Sequence, residues 1–148
     1  MTLQVTSGAF NEGGSIPKRH TCDGENLSPA LSWTGVPEGP ASLALIADDP
    51  DAPAGTWVHW VLADMPPDLT GLAEGATGVG VEGLNGFRKA IYGGPCPPKG
   101  STHRYYFKIY ALDKKLGLKS GMTKSDLEKA MQGHILAQGQ LMGRYSRQ

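Results

Sequence analysis

Two histidines stand near the start of segments rich in β-forming residues, and each segment follows a loop dense in turn residues. Trp57-Val58-His59-Trp60-Val61-Leu62-Ala63 follows Asp49-Pro50-Asp51-Ala52-Pro53, and the run from His103 to Leu112 follows Gly93-Gly94-Pro95-Cys96-Pro97-Pro98-Lys99-Gly100. Side chains two apart on a strand share a face, so Trp57 and His59 point one way, as do His103 and Tyr105 with Phe107 behind them. If the two strands are neighbours, two imidazoles, an indole, a phenol and the Asp49 carboxylate converge at one mouth. Charged imidazoles donate two hydrogen bonds, and the Tyr105 hydroxyl adds a third donor. Gly93-Gly94 ahead of Pro95 leaves backbone N–H groups uncovered, and such nests receive anionic oxygens. Phosphate, sulfate or carboxylate is the expected guest, with Trp57 packing on an apolar or cationic headgroup.

Each feature also has a plain structural reading. A strand histidine is commonly a satisfied structural group, Asp-Pro-Asp starts turns without chemistry, and the run Tyr105, Tyr106, Phe107, Tyr110 suits core and sheet surface. Two enzyme readings stand as the alternative to binding. His59, His103 and Asp49 form a permitted two-His-one-carboxylate metal set, and Cys96 beside His103 is a candidate thiol nucleophile. Gly-x-Ser-x-Gly, a phosphate-binding Gly-Lys-Ser loop, Gly-x-Gly-x-x-Gly before a helix and His-Glu-x-x-His are all absent. No dedicated base with its orienting partner is visible, so binding is favoured over a metal- or thiol-dependent hydrolase. No cofactor and no metal are expected.

The elements that must position these residues are mostly strands. Ala41 to Ala47 is nearly all apolar, which suits a strand covered on both faces. Leu31-Ser32-Trp33, Phe87 to Tyr92 and Leu3-Gln4-Val5-Thr6 read as shorter strands. Pro37-Glu38-Gly39-Pro40, Asn85-Gly86 and Gly93-Gly94-Pro95 break the chain between them. Thr70 to Glu82 is Gly-rich and reads as loop. Only the C-terminal end reads as helix. Ser125-Asp126-Leu127-Glu128 has capping-box spacing, and Leu127, Met131, Ile135 and Leu141/Met142 fall near one face. Gly133 and Gly139 make that helix dependent on packing. The expected architecture is mainly β, with antiparallel sheets and one late helix.

The 148 residues suit one domain, 1–148, large enough for its own core. Gly and Pro make up 32 residues (21 and 11), spread between apolar segments as in a loop-rich β protein. Fourteen basic and fourteen acidic side chains balance, and no like-charge run occurs, which argues against nucleic acid as a partner. No stretch approaches a membrane span, and the first residues show no basic start with an apolar run, so the cytoplasm is the expected location. The two cysteines, Cys22 and Cys96, are too few for a disulfide framework or a four-Cys zinc site. Reducing surroundings favour free thiols, one bridge is the other outcome, and both residues are expected to flank the pocket mouth.

Taken together, the Asp49-Pro50-Asp51-Ala52-Pro53, Trp57-Val58-His59-Trp60, Gly93-Gly94-Pro95-Cys96-Pro97-Pro98 and His103-Arg104-Tyr105 boxes resemble the phosphatidylethanolamine-binding protein family. The likeness is to its shorter bacterial and archaeal YbhB/YbcL branch, the Raf kinase inhibitor-like proteins. Ser28-Pro29-Ala30-Leu31-Ser32-Trp33 and Gly143-Arg144-Tyr145 fit it as well, so the likeness spans nearly the whole chain. It implies a large antiparallel sheet with a smaller second sheet, few helices and an anion pocket at one end. By motif, it assigns Asp49, Pro53, Trp57, His59, Gly94, Pro95, His103 and Tyr105 to that pocket. It further implies a small phosphorylated or otherwise anionic ligand. A kinase or protease enters as a protein partner under inhibition, and a homodimer is left open.

Overall fold

The computed structural model describes residues 2–147; Met1 and Gln148, the ends of the expected 1–148 domain, lie outside the described residues. In chain order the elements are β1 (Gln4–Thr6), β2 (Leu31–Thr34), β3 (Ser42–Asp49), β4 (Trp57–Met65), β5 (Gly71–Leu72), β6 (Val81–Glu82), β7 (Thr102–Leu112), α1 (Lys124–Met131) and β8 (Ile135–Ser146). They form two antiparallel sheets, one of three strands in the order β1-β2-β5 and one of five in the order β6-β4-β3-β7-β8. The described residues are thus mostly β with one α-helix, as expected.

The central strand β3 is buried along its whole length. Leu43, Leu45 and Ala47 face the three-stranded sheet and pack with Leu3, Leu31, Trp33, Phe107 and Ile109. Ala44 and Ile46 face the other way and pack under α1 with Val61, Leu127 and Met131. A strand covered on both faces needs no polar alternation, which is why its sequence is a continuous apolar run. These residues belong to two cores, one on each side of the large sheet.

Four local expectations are overturned. The C-terminal segment is not one long helix: α1 ends at Met131, and 135–146 form the edge strand β8, paired with β7 from Leu112↔Ile135 to Thr102↔Ser146. Gly133 takes a left-handed φ of 79°, which breaks the helix at a position open to glycine, and Ile135 is left exposed. The capping box also lies one half-turn earlier than expected. Thr123 Oγ1 accepts from the Asp126 N–H at 3.0 Å, and Asp126 Oδ2 accepts from the Thr123 N–H at 3.0 Å.

Phe87 to Tyr92 is a looped segment rather than a strand. Asn85 organises it: Oδ1 accepts from the N–H groups of Phe87 and Lys89, Nδ2 donates to the Ile91 carbonyl, and Arg88 has a positive φ of 63°. The stretch from Thr70 to Glu82, expected as loop, contributes the two-residue strands β5 and β6 to the two sheets.

Candidate functional site

The end of β3 and the beginnings of β4 and β7 meet at one end of the large sheet, because antiparallel pairing places Asp49 opposite Trp57 and Asp48 opposite Tyr106. The two histidine strands are not neighbours, as the sequence reading required; β3 lies between them and supplies Asp49 at its tip. The register of β3 with β4 slips between Ala47 and Asp48, whose partners are Trp60 and Val58. His59 is therefore the extra residue of a bulge. A bulge lets consecutive side chains share a face, so Trp60 enters the core under the small sheet while His59 still faces the pocket beside it.

The resulting cavity, about 210 Å³, is lined by Asp49, Ala52, Pro53, Trp57, His59, Phe87, Cys96, Pro97, Pro98, His103 and Tyr105. Its wall is mostly apolar. Trp57 and Phe87 meet edge-to-face at 5.4 Å and are both exposed, which puts them at the rim. The rings of His59 and His103 lie 5.2 and 6.4 Å from that of Tyr105, the first edge-on and the second stacked.

Hydrogen bonding fixes what each polar group presents. His59 Nδ1 is 2.6 Å from the Gly93 carbonyl, which only an N–H can satisfy, so Nε2 carries the lone pair when the ring is neutral. Burial pushes the His59 pKa below its ordinary value, partly offset by the Gly93 bond and the Asp49 charge. Its Nε2 is buried without a partner among the described residues. The Tyr105 hydroxyl is also buried without a partner among the described residues, and burial, reinforced by the nearby Asp49 charge, raises its pKa, so it keeps its proton. His103 Nδ1 sits 2.7 Å from Asp49 Oδ2, and Asp49 Oδ1 accepts the Asp51 N–H at 2.7 Å. Both Asp49 oxygens are thus engaged, and the carboxylate positions His103 rather than standing free. This Asp49–His103 pair is the orienting contact that sequence inspection did not detect; 54 residues separate the partners.

The Asp49–Pro53 loop is fastened to β7 by Asp51. Its carboxylate takes the Arg104 N–H at 2.9 Å and a two-pronged guanidinium contact at 2.9 and 2.8 Å. The Arg104 hydrogen bonds hold the Asp51 carboxyl down to about 2.

Gly94 and Pro95 are not among the lining residues. The expected anion nest is absent because its N–H groups are spent: Gly93 donates to the His59 carbonyl at 2.9 Å, and Gly94 donates to Asn26 Oδ1 at 2.8 Å. Gly94 is needed for a different reason, since a Cβ there would run into the His20 carbonyl and the Asn26 side chain. These two residues join the pocket's back wall to the segment around Cys22.

Cys22 and Cys96 form a disulfide with Cα atoms 5.4 Å apart, so Cys96 offers no free thiol as a nucleophile. Cys96 lines the cavity, and Cys22 stands one bond behind it. Among the described residues, no three His, Cys, Asp or Glu side chains are grouped to hold a metal ion.

Phe87, Pro97 and Pro98 are lining residues that the sequence reading did not assign to the pocket. The Asn85-Gly86 turn ahead of Phe87 was the available signal, since it interrupts any strand that would carry the ring elsewhere.

A family model described as phosphatidylethanolamine-binding protein matches residues 6–146. The UPF0098 protein of Methanothermobacter thermautotrophicus is 50% identical over 151 residues, covering 98% of this chain and 99% of the relative. The crystal structure of a phosphatidylethanolamine-binding protein homologue from Chlamydia trachomatis superposes with a TM-score of 0.94 at 45% identity, covering 99% of both chains. That of Escherichia coli YbcL, described as a new member of the mammalian family, superposes at 0.92 with 33% identity over 100% of both.

Proposed function

The chain belongs to the phosphatidylethanolamine-binding protein family, and from that premise we propose that it binds a small phosphate- or carboxylate-bearing group in the His59–His103–Tyr105 pocket and acts through that binding. One observation carries the reading. His59 Nε2 and the Tyr105 hydroxyl are buried polar atoms with no partner among the described residues, and both belong to residues that line the same cavity. Buried polar groups are nearly always satisfied, and the cost of leaving them bare is returned when a ligand satisfies them.

The division of labour follows from the geometry. Tyr105 donates to the anionic oxygen, and His59 accepts a ligand proton or takes one up and donates. His103, held by Asp49, contributes its Nε2. Pro53, Trp57, Phe87 and Pro98 cover the apolar or cationic remainder of the ligand. A phosphorylated side chain of a protein partner presents the same chemistry, which is the route by which occupancy would inhibit or regulate such a partner. Titration of inorganic phosphate and phenyl phosphate, followed by heteronuclear NMR, tests the reading. Saturable shifts are expected at His59, His103 and Tyr105, and their absence at millimolar ligand removes it.

A further inference from the structure

The Cys22–Cys96 bridge beside the pocket has features that folding alone does not require. Cys22 and Cys96 are both exposed, so a solution thiol can reach the bond. The loops they join are also held without it: the Cys22 N–H donates to the Pro95 carbonyl at 3.1 Å, Gly94 N–H to Asn26 at 2.8 Å, and the Tyr92 hydroxyl to the His20 carbonyl at 2.7 Å. Opening the bridge therefore leaves the two sulfurs close together and able to close again.

The two sulfurs are not equivalent. Arg147 Nη1 lies 3.6 Å from Cys96 Sγ, while Arg147 Nε is anchored by Asp23 Oδ1 at 3.2 Å. Asp23 in turn accepts from the Tyr145 hydroxyl at 2.5 Å. A guanidinium held beside one sulfur stabilises that sulfur as a thiolate, and a stabilised thiolate is the better leaving group. Cys96 is also the sulfur that lines the pocket.

We propose that the Cys22–Cys96 bridge is a thiol-exchange site, opened by a low-molecular-weight thiol at Cys22, and that its opening weakens anion binding in the adjacent pocket. The attacking thiolate forms a bond to Cys22 Sγ as the Sγ–Sγ bond breaks, and the electron pair leaves on Cys96 as a thiolate beside Arg147. A second thiolate then displaces Cys22 and completes a two-electron reduction, with two small thiols oxidised to one disulfide. The expected cytoplasmic setting supplies that co-reactant. Coupling to the pocket arises because the released Cys96 thiolate puts a negative charge into the wall of a cavity read here as anion-binding. This part rests on the proposed function, whereas the exchange chemistry does not.

The experiment has two independent readouts. Oxidised protein is treated with millimolar glutathione at pH 7, quenched with iodoacetamide and mapped by mass spectrometry. Glutathione is expected on Cys22 and alkylation on Cys96. Arg147→Gln should slow opening about threefold, and Arg147→Lys should restore it. Adducts chiefly on Cys96, a bridge that stays closed, or equal rates in wild type and Arg147→Gln would overturn the exchange site. Inorganic phosphate is then titrated into oxidised and fully reduced protein, with NMR dispersion confirming that both are folded. Affinity about threefold weaker in the reduced form is expected. Equal affinities overturn the coupling alone. Binding to neither form overturns the pocket reading together with the coupling and leaves the exchange site to be judged by the glutathione result.

Discussion

Anion affinity should fall as pH rises, and His59 sets the size of the effect. In the free protein its ring is buried, Nδ1 is committed to the Gly93 carbonyl at 2.6 Å, and its pKa lies below the ordinary 6.5 because burial penalises the cation. A sulfate ion cannot supply a proton in this range, so it meets a bare lone pair at Nε2 unless the imidazole first protonates. Binding then requires uptake of one proton, and affinity drops tenfold for each pH unit between the free and bound pKa values, about 1.4 kcal/mol per unit. Because the free value is already below 6.5, the interval from pH 6.5 to 8 lies wholly on that slope. The expected loss is about thirtyfold (ten to the power 1.5) if the bound imidazolium stays protonated throughout. Calorimetry of sulfate binding in two buffers of different ionisation enthalpy measures the affinity and the proton uptake together. His59→Gln keeps a side-chain amide near Gly93 and removes the titration, so its curve should be flatter across the range. Superimposable flat curves for wild type and His59→Gln, with no proton uptake, would refute the reasoning at its centre.

The same depressed pKa makes folding stability depend on pH with a defined sign. The unfolded chain binds the proton more readily than the folded one, so stability is full above about pH 6.5 and declines as pH falls toward the folded value, at up to about 1.4 kcal/mol per unit. Urea unfolding of wild type and His59→Gln at pH 7.5 and 5.5 should show a smaller drop in the variant. Reducing the Cys22–Cys96 bridge removes a constraint spanning 74 residues, and the chain-entropy argument places the loss at about 4 kcal/mol, readable as a lower guanidinium midpoint with unchanged native spectra. Gly94→Ala forces a methyl against the His20 carbonyl and the Asn26 amide, so denaturant titration should show about 2 kcal/mol lost and weaker phosphate binding.

The parts of the fold that were legible are those where burial imposed a simple pattern. β3 is apolar on both faces and reads as a covered strand, while β7 alternates through His103, Tyr105, Phe107 and Ile109. β8 reads as helix because two of its inward positions, between and beside the buried Ala137 and Leu141, have no room for a side chain. A Cβ at Gly139 would meet the Leu3 backbone, and one at Gly143 would meet Phe10 and Ile16 at 2.6 Å. Two glycines on the buried face erase the two-residue period, and the remaining Leu127, Met131 and Ile135 mimic a helical one. At the site, parity brought His59, Trp57, His103 and Tyr105 to one face but was silent on the bulge at His59 and on β3 as the intervening strand. The Gly94 N–H looked free because Asn26 lies 68 residues away. Long-range partners of this kind leave no local signature.

The outer edge of β8 has a further consequence for how the molecule is made. That edge is covered by the beginning of the chain: Leu3, Gly13 and Ile16 donate to the carbonyls of Gln138, Met142 and Arg144, and Arg144 donates back to Gly14. Residues 3–16 therefore have their edge partner far along the sequence, in β8. Until β8 is made, Leu3, Val5, Phe10 and Ile16, all buried in the finished protein, lack part of the surface they settle on. Contacts between such distant segments carry a large closure cost and form late, so residues 3–16 stay partly uncovered until β8 arrives. Chaperone engagement should concentrate there, and release should coincide with the arrival of β8.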